Sequence, residues 1–308
     1  MPTDPISGKV VLITGPARGI GEETARQLAA RGARLSLVGM EPNRLAVLAM
    51  EFGPDHAWFE CDVTDQAAID RAVEGTVERF GGIDVVVANA GIASNGTVAV
   101  TPVDALVRVL EVNLIGVVRT VAATLPHAIE RQGYVLLVSS ASALAPLPGM
   151  STYAASKIGV EHFGAVLRLE VAHRGVAVGV AHPAWIDTDL VRDTRRDLKS
   201  FERTLKKLPG PFGSMTTVTE CAAAFVDGIA KRRRKIYVPR SLAPLAAIRQ
   251  VFWSGLSDRA MAKQLARTVP QLEQEVRALG RSFGEHSVGP QVGTETSQQE
   301  SAAASAEV

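Results

Sequence analysis

The sequence predicts an α/β protein: a single domain on a doubly wound parallel sheet, in three α/β/α layers, with a helical extension at its C-terminal side. Three observations predict it. Short apolar runs alternate with helix-length stretches along most of the chain. The apolar runs are near-continuous, as expected of strands covered on both faces. Glycines punctuate the boundaries before most of them, which fits helices that end on a glycine and feed the next strand.

The strand candidates are 9–14 (KVVLIT), 34–38 (RLSLV), 83–88 (IDVVVA), 134–139 (YVLLVS), 176–181 (VAVGVA) and the short 236–238. Helix-length stretches lie between them at 20–31, 42–52, 66–80, 102–131, 152–174 and 218–231. Strand and helix alternating at this spacing place residues 1–240 in one parallel-sheet domain. Residues 241–281 read as helical and lie beyond the last strand, where they form a cap or lid. Residues 282–308 are rich in Gly, Ser, Gln, Glu and Ala with almost no large apolar side chains, and are expected to be a disordered tail.

Composition narrows the function. The chain has 308 residues, 46% of them hydrophobic, enough for a sizeable core. A formal net charge of +1 gives no global field toward nucleic acid, so no nucleic-acid partner is expected. Two cysteines, Cys61 and Cys221, make no disulfide framework. No His-Glu-x-x-His, Cys-x-x-Cys or histidine cluster suggests a metal. Residues 1–9 hold no apolar leader, and no apolar run reaches membrane-spanning length, so a reduced, cytoplasmic protein is expected.

Directly after the first strand comes Thr14-Gly15-Pro16-Ala17-Arg18-Gly19-Ile20-Gly21, opening a helix. Glycines let the backbone turn tightly and approach a pyrophosphate, and the helix N-terminus offers it free N–H groups and a positive dipole end. Position between first strand and first helix is what this mechanism requires.

The spacing Thr-Gly-x-x-x-Gly-x-Gly resembles the signature of the short-chain dehydrogenase/reductase family, whose fold is Rossmann-type. The resemblance runs from about Lys9 to Val238. It implies a nicotinamide dinucleotide held by Gly15, Ala17, Arg18, Gly19, Ile20 and Gly21 around the turn, and by Gly39 and Met40 after the second strand. It matches Asp62 and Val63, at the end of the third strand, to the adenine contact. It lays Asn89, Ala90 and Gly91 along the cofactor after the fourth strand, and brings Pro183, Ile186 and Thr188 to the nicotinamide carboxamide. Ala184 stands where the family usually has glycine, which puts the local backbone angle in question.

Tyr153 and Lys157 lie four residues apart on an expected helix, so phenol and ammonium share one face. A free tyrosine titrates near ~10 and is a poor acid–base catalyst at neutral pH. A fixed cation beside it favours phenolate and lowers that value. The resemblance makes Tyr153 the proton donor or acceptor, with Lys157 tuning it and contacting the cofactor. Ser140 follows the 134–139 strand, where such folds build sites, and holds the substrate oxygen; Ser139 and Ser142 are its near competitors. Asn113, inside the apolar 102–131 helix, reads from the residues alone as a satisfied core asparagine. The resemblance instead makes it the fourth catalytic residue, anchoring a water linked to Lys157.

Cofactor choice is read at the end of the second strand. Gly39 has no carboxylate to hold ribose hydroxyls or repel a 2′-phosphate, and Arg18 matches a basic residue of NADP-preferring relatives. Met40, where those relatives often carry arginine, and the nearby Glu41 weigh the other way. NADP(H) is favoured, with NAD(H) the alternative.

Residues 187–215 are expected to form a substrate lid. With Leu144, Leu147 and Met150 around the site, they favour a hydrophobic ketone or secondary alcohol such as a steroid, lipid or terpenoid. The apolar excess of 102–131 and 152–174 suggests a homodimer or homotetramer. The basic run 231–235 reads as cations at a helix C-terminus, or, with Val251-Phe252-Trp253, as a patch for weak contact with a membrane surface. The competing function is a non-catalytic dinucleotide-binding or scaffold protein on the same fold, against which the intact Asn113, Ser140, Tyr153 and Lys157 set argues. His182 and Trp185 read as packing residues.

Overall fold

The computed structural model describes residues 4–205 and 213–286. The elements run β1 (Val10–Thr14), α1 (Gly19–Ala30), β2 (Arg34–Gly39), α2 (Pro42–Phe52), β3 (Ala57–Glu60), α3 (Gln66–Phe80), β4 (Val85–Ala88), α4 (Val103–Leu110) and α5 (Gly116–Glu130). They continue as β5 (Tyr134–Val138), α6 (Ser151–Val171), β6 (Ala177–Pro183), β7 (Trp185–Ile186), α7 (Asp189–Asp197), α8 (Lys199–Leu205), β8 (Met215–Thr216), α9 (Val218–Ala230) and β9 (Lys235–Val238). Three helices follow: α10 (Leu242–Ala247), α11 (Arg249–Phe252) and α12 (Gly255–Leu279).

Seven strands form one parallel sheet in the order β3-β2-β1-β4-β5-β6-β9. One core lies on each face, centred on Leu28, Leu35 and Phe225 on one side and on Leu12, Val86, Val121 and Leu167 on the other. Burial on both faces is why β1, β4 and β5 read as unbroken apolar runs. The strand order reverses at β1, which pairs with β2 on one side and β4 on the other. Such a switch point opens a crevice at the carboxyl ends of those strands.

Several elements depart from expectation. β3 was missing from the apolar runs because it lies at the sheet edge and alternates partly buried with exposed residues, AWFE. The expected 102–131 helix is two helices joined by a π turn, Glu111–Ile115, in which Gly116 N donates to Glu111 O five residues back. Gly116 packs so closely on Val63 that a Cβ there would lie 2.7 Å from Val63 Cγ2. π turns of this kind cluster at functional sites, and Asn113 sits in this one.

The first five residues of the expected tail are ordered. Asn95 N donates to Ser282 O (2.8 Å), Phe283 bridges Ser94 antiparallel, and His286 N donates to Asp193 Oδ2 (2.9 Å). Asp193 is buried and needs those donors, which is why the chain is pinned there. Residues 287–308 lie outside the described residues.

The C-terminal helices are tied to the rest of the fold. Arg249 pairs with Glu161 of α6 (3.0 Å), Trp253 Nε1 donates to Leu144 O (3.3 Å), and Glu275 accepts from Ser200 N and Oγ (2.9 and 2.7 Å). Four of the five cations of the basic run have partners within the fold. Arg232 donates to the carbonyls of Gln132, Gly133 and Gly175, Lys231 and Arg233 pair with Asp227, and Lys235 pairs with Glu161.

Candidate active site

The β1–α1 turn forms a cradle that only glycine permits at its closest points. Gly15 and Gly19 take positive φ (65° and 58°). A Cβ on Gly15 would lie 2.9 Å from Ala90 Cα, and one on Gly19 3.2 Å from Thr188 Cγ2, across the cleft. At Gly21 a Cβ would overlap the Gly15 carbonyl oxygen and lie 2.6 Å from Asn89 Nδ2. Arg18, at the N-cap of α1, makes no side-chain cap, so the helix N–H groups stay open to a ligand. Ala17 is buried beneath the turn, and Ile20 is partly buried against the core.

Asn89 holds the turn in shape. Its Nδ2 donates to Thr14 O and Gly15 O (3.0 and 3.1 Å), while Asn89 N and Ala90 N both donate to Thr14 Oγ1 (3.1 Å each). Strand ends β1 and β4 are thereby stapled together beneath the crevice. Beyond them, Ile186 is buried and Thr188 N donates to its carbonyl (2.7 Å). Ala184 is not among the residues with positive φ, and its N–H donates to Val238 O (2.8 Å), so the substitution for glycine leaves no strain there.

The second cluster sits at the ends of β4 and β5. Tyr153 and Lys157 share one face of α6, with Lys157 Nζ 5.7 Å from the Tyr153 ring centroid. The Tyr153 and Ser140 side chains line the same cavity, and Ser140 Oγ donates to Pro183 O (3.5 Å). Ser140 Oγ also accepts from Ser142 N (3.1 Å). Lys157, buried, donates to Val138 O (2.9 Å). A Cβ placed on Gly91 would lie 3.3 Å from Asn113 Oδ1 and 3.4 Å from Lys157 Nζ, so the three groups meet at one point.

The Asn113 side chain is satisfied within the fold, as the residues alone suggest. Its Oδ1 accepts from Ile92 N and its Nδ2 donates to Ile92 O (both 2.8 Å), with Ser156 Oγ at 3.3 Å. The side chain is spent on fixing the loop that follows Gly91. Ser139 is excluded as a rival to Ser140, because its hydroxyl donates to Lys157 O (2.7 Å).

Electrostatics follow burial. Burial pushes the Tyr153 phenol above its ordinary value, and the neighbouring Ser140 side chain works against that shift. Burial also lowers the Lys157 ammonium to about 8. Without a ligand, therefore, the tyrosine rests as a neutral phenol, and the lysine loses its proton readily.

Above this pair lies a cavity of about 440 Å³, within the ~300–1,000 Å³ range of small-molecule sites. Its wall is largely apolar, with Leu147, Leu190, Leu198, Met261, Leu265 and Leu272. Three of these belong to α12, so the extension helps build the cavity. Leu147 and Met150 line it as expected. Leu144 instead packs away from it on Ala141 and Leu242. Trp185, read as a packing residue, lines the cavity edge-on to Phe201 (5.0 Å between ring centroids). His182 is buried and stacks on Tyr237 at 5.0 Å. Of the expected lid, Phe201 lines the cavity, while Phe212 lies outside the described residues.

At the far end of the cradle, Arg18 is not free. It makes a two-pronged ion pair with Glu41, Nε to Oε1 at 3.0 Å and Nη2 to Oε2. Gly39 has room for a side chain, since a Cβ would meet nothing closer than Pro16 Cδ at 3.6 Å. Met40 projects to solvent. Asp62 accepts from Thr64 N and Oγ1 (2.9 and 2.8 Å) and from Arg108 Nη2 (2.9 Å). Val63 is buried against Gly116. Arg108 carries no sequence signal of its own; only the fold brings it to Asp62.

The short chain dehydrogenase family model matches residues 9–199. An 11-beta-hydroxysteroid dehydrogenase-like 4A of Arabidopsis thaliana is 32% identical over 256 residues, 82% of this chain and 81% of that protein. Dehydrogenase/reductase SDR family member 7B of Mus musculus is 30% identical over 264 residues, 83% and 80% of the two chains. Among solved structures, a short chain dehydrogenase/reductase from Burkholderia phymatum in complex with NAD superposes with a TM-score of 0.70. It is 22% identical and covers 79% of this chain and 93% of its own, a likeness of fold. The chain belongs to the short-chain dehydrogenase/reductase family. It is an NAD(P)-dependent oxidoreductase of that family.

Proposed function

We propose that the chain interconverts hydrophobic ketones and secondary alcohols, with Tyr153 giving or taking the proton at the substrate oxygen. The observation that carries this is that Tyr153, with Lys157 beside its ring, and Ser140 stand together in the wall of a largely apolar cavity. The likeness to 11-beta-hydroxysteroid dehydrogenase-like proteins of Arabidopsis thaliana supports a steroid-sized substrate. A panel of steroid, terpenoid and long-chain ketones and alcohols tests the reading by following oxidation or reduction of the cofactor. Turnover of apolar members is expected. Cofactor binding with no turnover of any of them contradicts it.

A bound nicotinamide supplies the carbon that gives or accepts hydride and, when oxidised, a positive charge near the phenol. Ser140 orients the substrate oxygen beside the Tyr153 hydroxyl, which donates its proton during reduction and accepts one during oxidation. Lys157, held by Val138 O, places its charge where it favours phenolate and restores the proton. Asn113 acts by fixing Ile92 and the Gly91 backbone beside Lys157.

The cradle glycines hold the pyrophosphate in this reading. Gly21→Ala forces the Gly15 carbonyl and the Asn89 amide apart, an overpacking cost of about 1–3 kcal/mol. Cofactor affinity is expected to fall roughly 5–150-fold, from the same energy, as read by titrating the fluorescence of the reduced cofactor. Unchanged affinity contradicts this placement.

NADP(H) remains the favoured cofactor, through Arg18 and the absence of a carboxylate at Gly39. Glu41 weighs against it more strongly than its position alone suggests, because it occupies the Arg18 guanidinium and would repel a 2′-phosphate. The preference is therefore expected to be modest. Glu41→Gln should raise the NADP-to-NAD ratio of kcat/KM by about tenfold, the worth of one charge-assisted contact. A ratio unchanged or lowered by that substitution removes Arg18 from selectivity.

Association through α4 and α6 is proposed on the same footing. Val103, Val107, Val166 and Leu169 stand exposed there, and sedimentation should show a homodimer or homotetramer. Weak membrane-surface contact has the exposed Ile248, Val251 and Trp253 in its favour and the internally paired basic run against it.

A further inference from the structure

Among the described residues, two buried polar atoms in the cavity wall lack a hydrogen-bond partner: Asn95 Nδ2 and Ser142 Oγ. Ser142 sits two residues from Ser140 and donates its backbone N–H to it, so it belongs to the reacting end. Asn95 comes from a different segment, the loop after β4. It is 6% exposed, and its backbone is anchored by the bond to Ser282 O, so it has no easy route to solvent. Its Oδ1 accepts from Thr194 Oγ1 at 3.4 Å, a hydroxyl that also donates to Leu190 O at 2.9 Å. The amide thus makes one long contact at most, in the buried wall of a cavity whose lining is mainly apolar. A buried amide left this way is unfavourable unless a ligand or a trapped water completes it.

We propose that Asn95 is a specificity-determining residue: its amide hydrogen-bonds a second oxygen function of the substrate, carbonyl or hydroxyl, other than the oxygen that reacts at Tyr153. The proposal rests on the cavity being the substrate site and narrows the substrate to apolar diketones, hydroxyketones and diols. An apolar molecule with a single oxygen leaves the amide unpaired and is discriminated against, because a site built to pair a polar group rejects the analogue that lacks it.

The test is calorimetric binding to the full chain loaded with oxidised cofactor, in which a ketone binds without turning over. The probes are androstanone, with one carbonyl, and two androstanediones that place the second carbonyl on the central or the terminal ring. At least one dione is expected to bind roughly tenfold or more tightly than the monoketone, the worth of one buried hydrogen bond. Asn95→Leu, close in size, should remove that preference by weakening the dione while leaving the monoketone unchanged or tighter. Equal affinity of all three for the wild type overturns the proposal, as does a variant that weakens all three alike, the mark of a trapped water or a structural role. The wild-type comparison stands even where the variant does not fold. Binding without preference sinks this proposal alone. Absence of binding by all three, with the cofactor still bound, sinks the steroid-sized reading of the cavity together with it.

Discussion

Tyr153→Phe is expected to lower kcat by about 10³-fold, within the ~10²–10⁴ range of general acid–base catalysis, while cofactor affinity and Tm stay close to wild type. Phenylalanine keeps the ring packed beside Lys157 and removes only the hydroxyl. Ser140 keeps its bond from Ser142 N, so no buried charge is orphaned, and the stability change should stay within about 1 kcal/mol. Direction matters. Burial holds the phenol protonated, which suits carbonyl reduction, whereas alcohol oxidation must first form phenolate. Oxidation by the wild type should therefore rise with pH more steeply than reduction. Steady-state rates in both directions, with cofactor titration of the same samples, check this. Undiminished turnover of Tyr153→Phe contradicts the assignment.

Lys157→Met is expected to cost activity on the same scale, about 10²–10⁴-fold in kcat/KM for oxidation, and to move the pH dependence of oxidation upward. The reason is the loss of the one buried cation beside Tyr153. Stability should respond in the opposite sense. Lys157 titrates at about 8 in the folded protein against an ordinary 10.5. Below pH 8 both folded and unfolded chains carry the proton, and the folded chain bears the full cost of burying it. From about pH 8 to 10.5 the folded chain sheds the proton while the unfolded chain keeps it, so this cost is relieved as pH rises. The shift corresponds to about 3 kcal/mol at ~1.4 kcal/mol per pH unit. Leaving Val138 O without its donor offsets part of it, by about 1–3 kcal/mol. Lys157→Met should thus be no less stable than wild type at neutral pH, with its relative advantage shrinking between pH 8 and 10.5. Thermal unfolding of both proteins across that range checks the sign. A relative advantage that grows with pH contradicts the buried-cation explanation.

Much of this was legible before any coordinates. β1, β4 and β5 are unbroken apolar runs because both sheet faces are covered, and the glycines that end helices mark where each begins. The cradle was legible because Gly15, Gly19 and Gly21 stand at the one turn where a pyrophosphate can meet a helix N-terminus. Tyr153 and Lys157 were legible because four residues make one helical turn. What escaped depends on distant partners. The alternating β3 edge strand looks like any amphipathic stretch. The π turn at Asn113 comes with the close packing of Gly116 on Val63, and the Asn113 side chain finds its partner in Ile92. Arg18 and Glu41 are far apart in sequence and meet across the mouth of the crevice. Ordered residues 282–286 form a short segment with one large apolar side chain, and only its distant partners, Ser94, Asn95 and buried Asp193, fix its place. Asn95 gave no signal either, because an orphaned amide can be seen only once the cavity around it exists.

The most direct test is transfer of label. Wild-type protein is incubated with an apolar ketone and reduced cofactor carrying deuterium at the transferring carbon, and the alcohol formed is analysed by mass spectrometry and NMR. Deuterium should appear on the carbinol carbon of the product, at a rate about 10³-fold lower with Tyr153→Phe, in line with general acid–base loss. Alcohol without label, or labelled alcohol formed at the wild-type rate by the phenylalanine variant, would contradict hydride transfer at Tyr153.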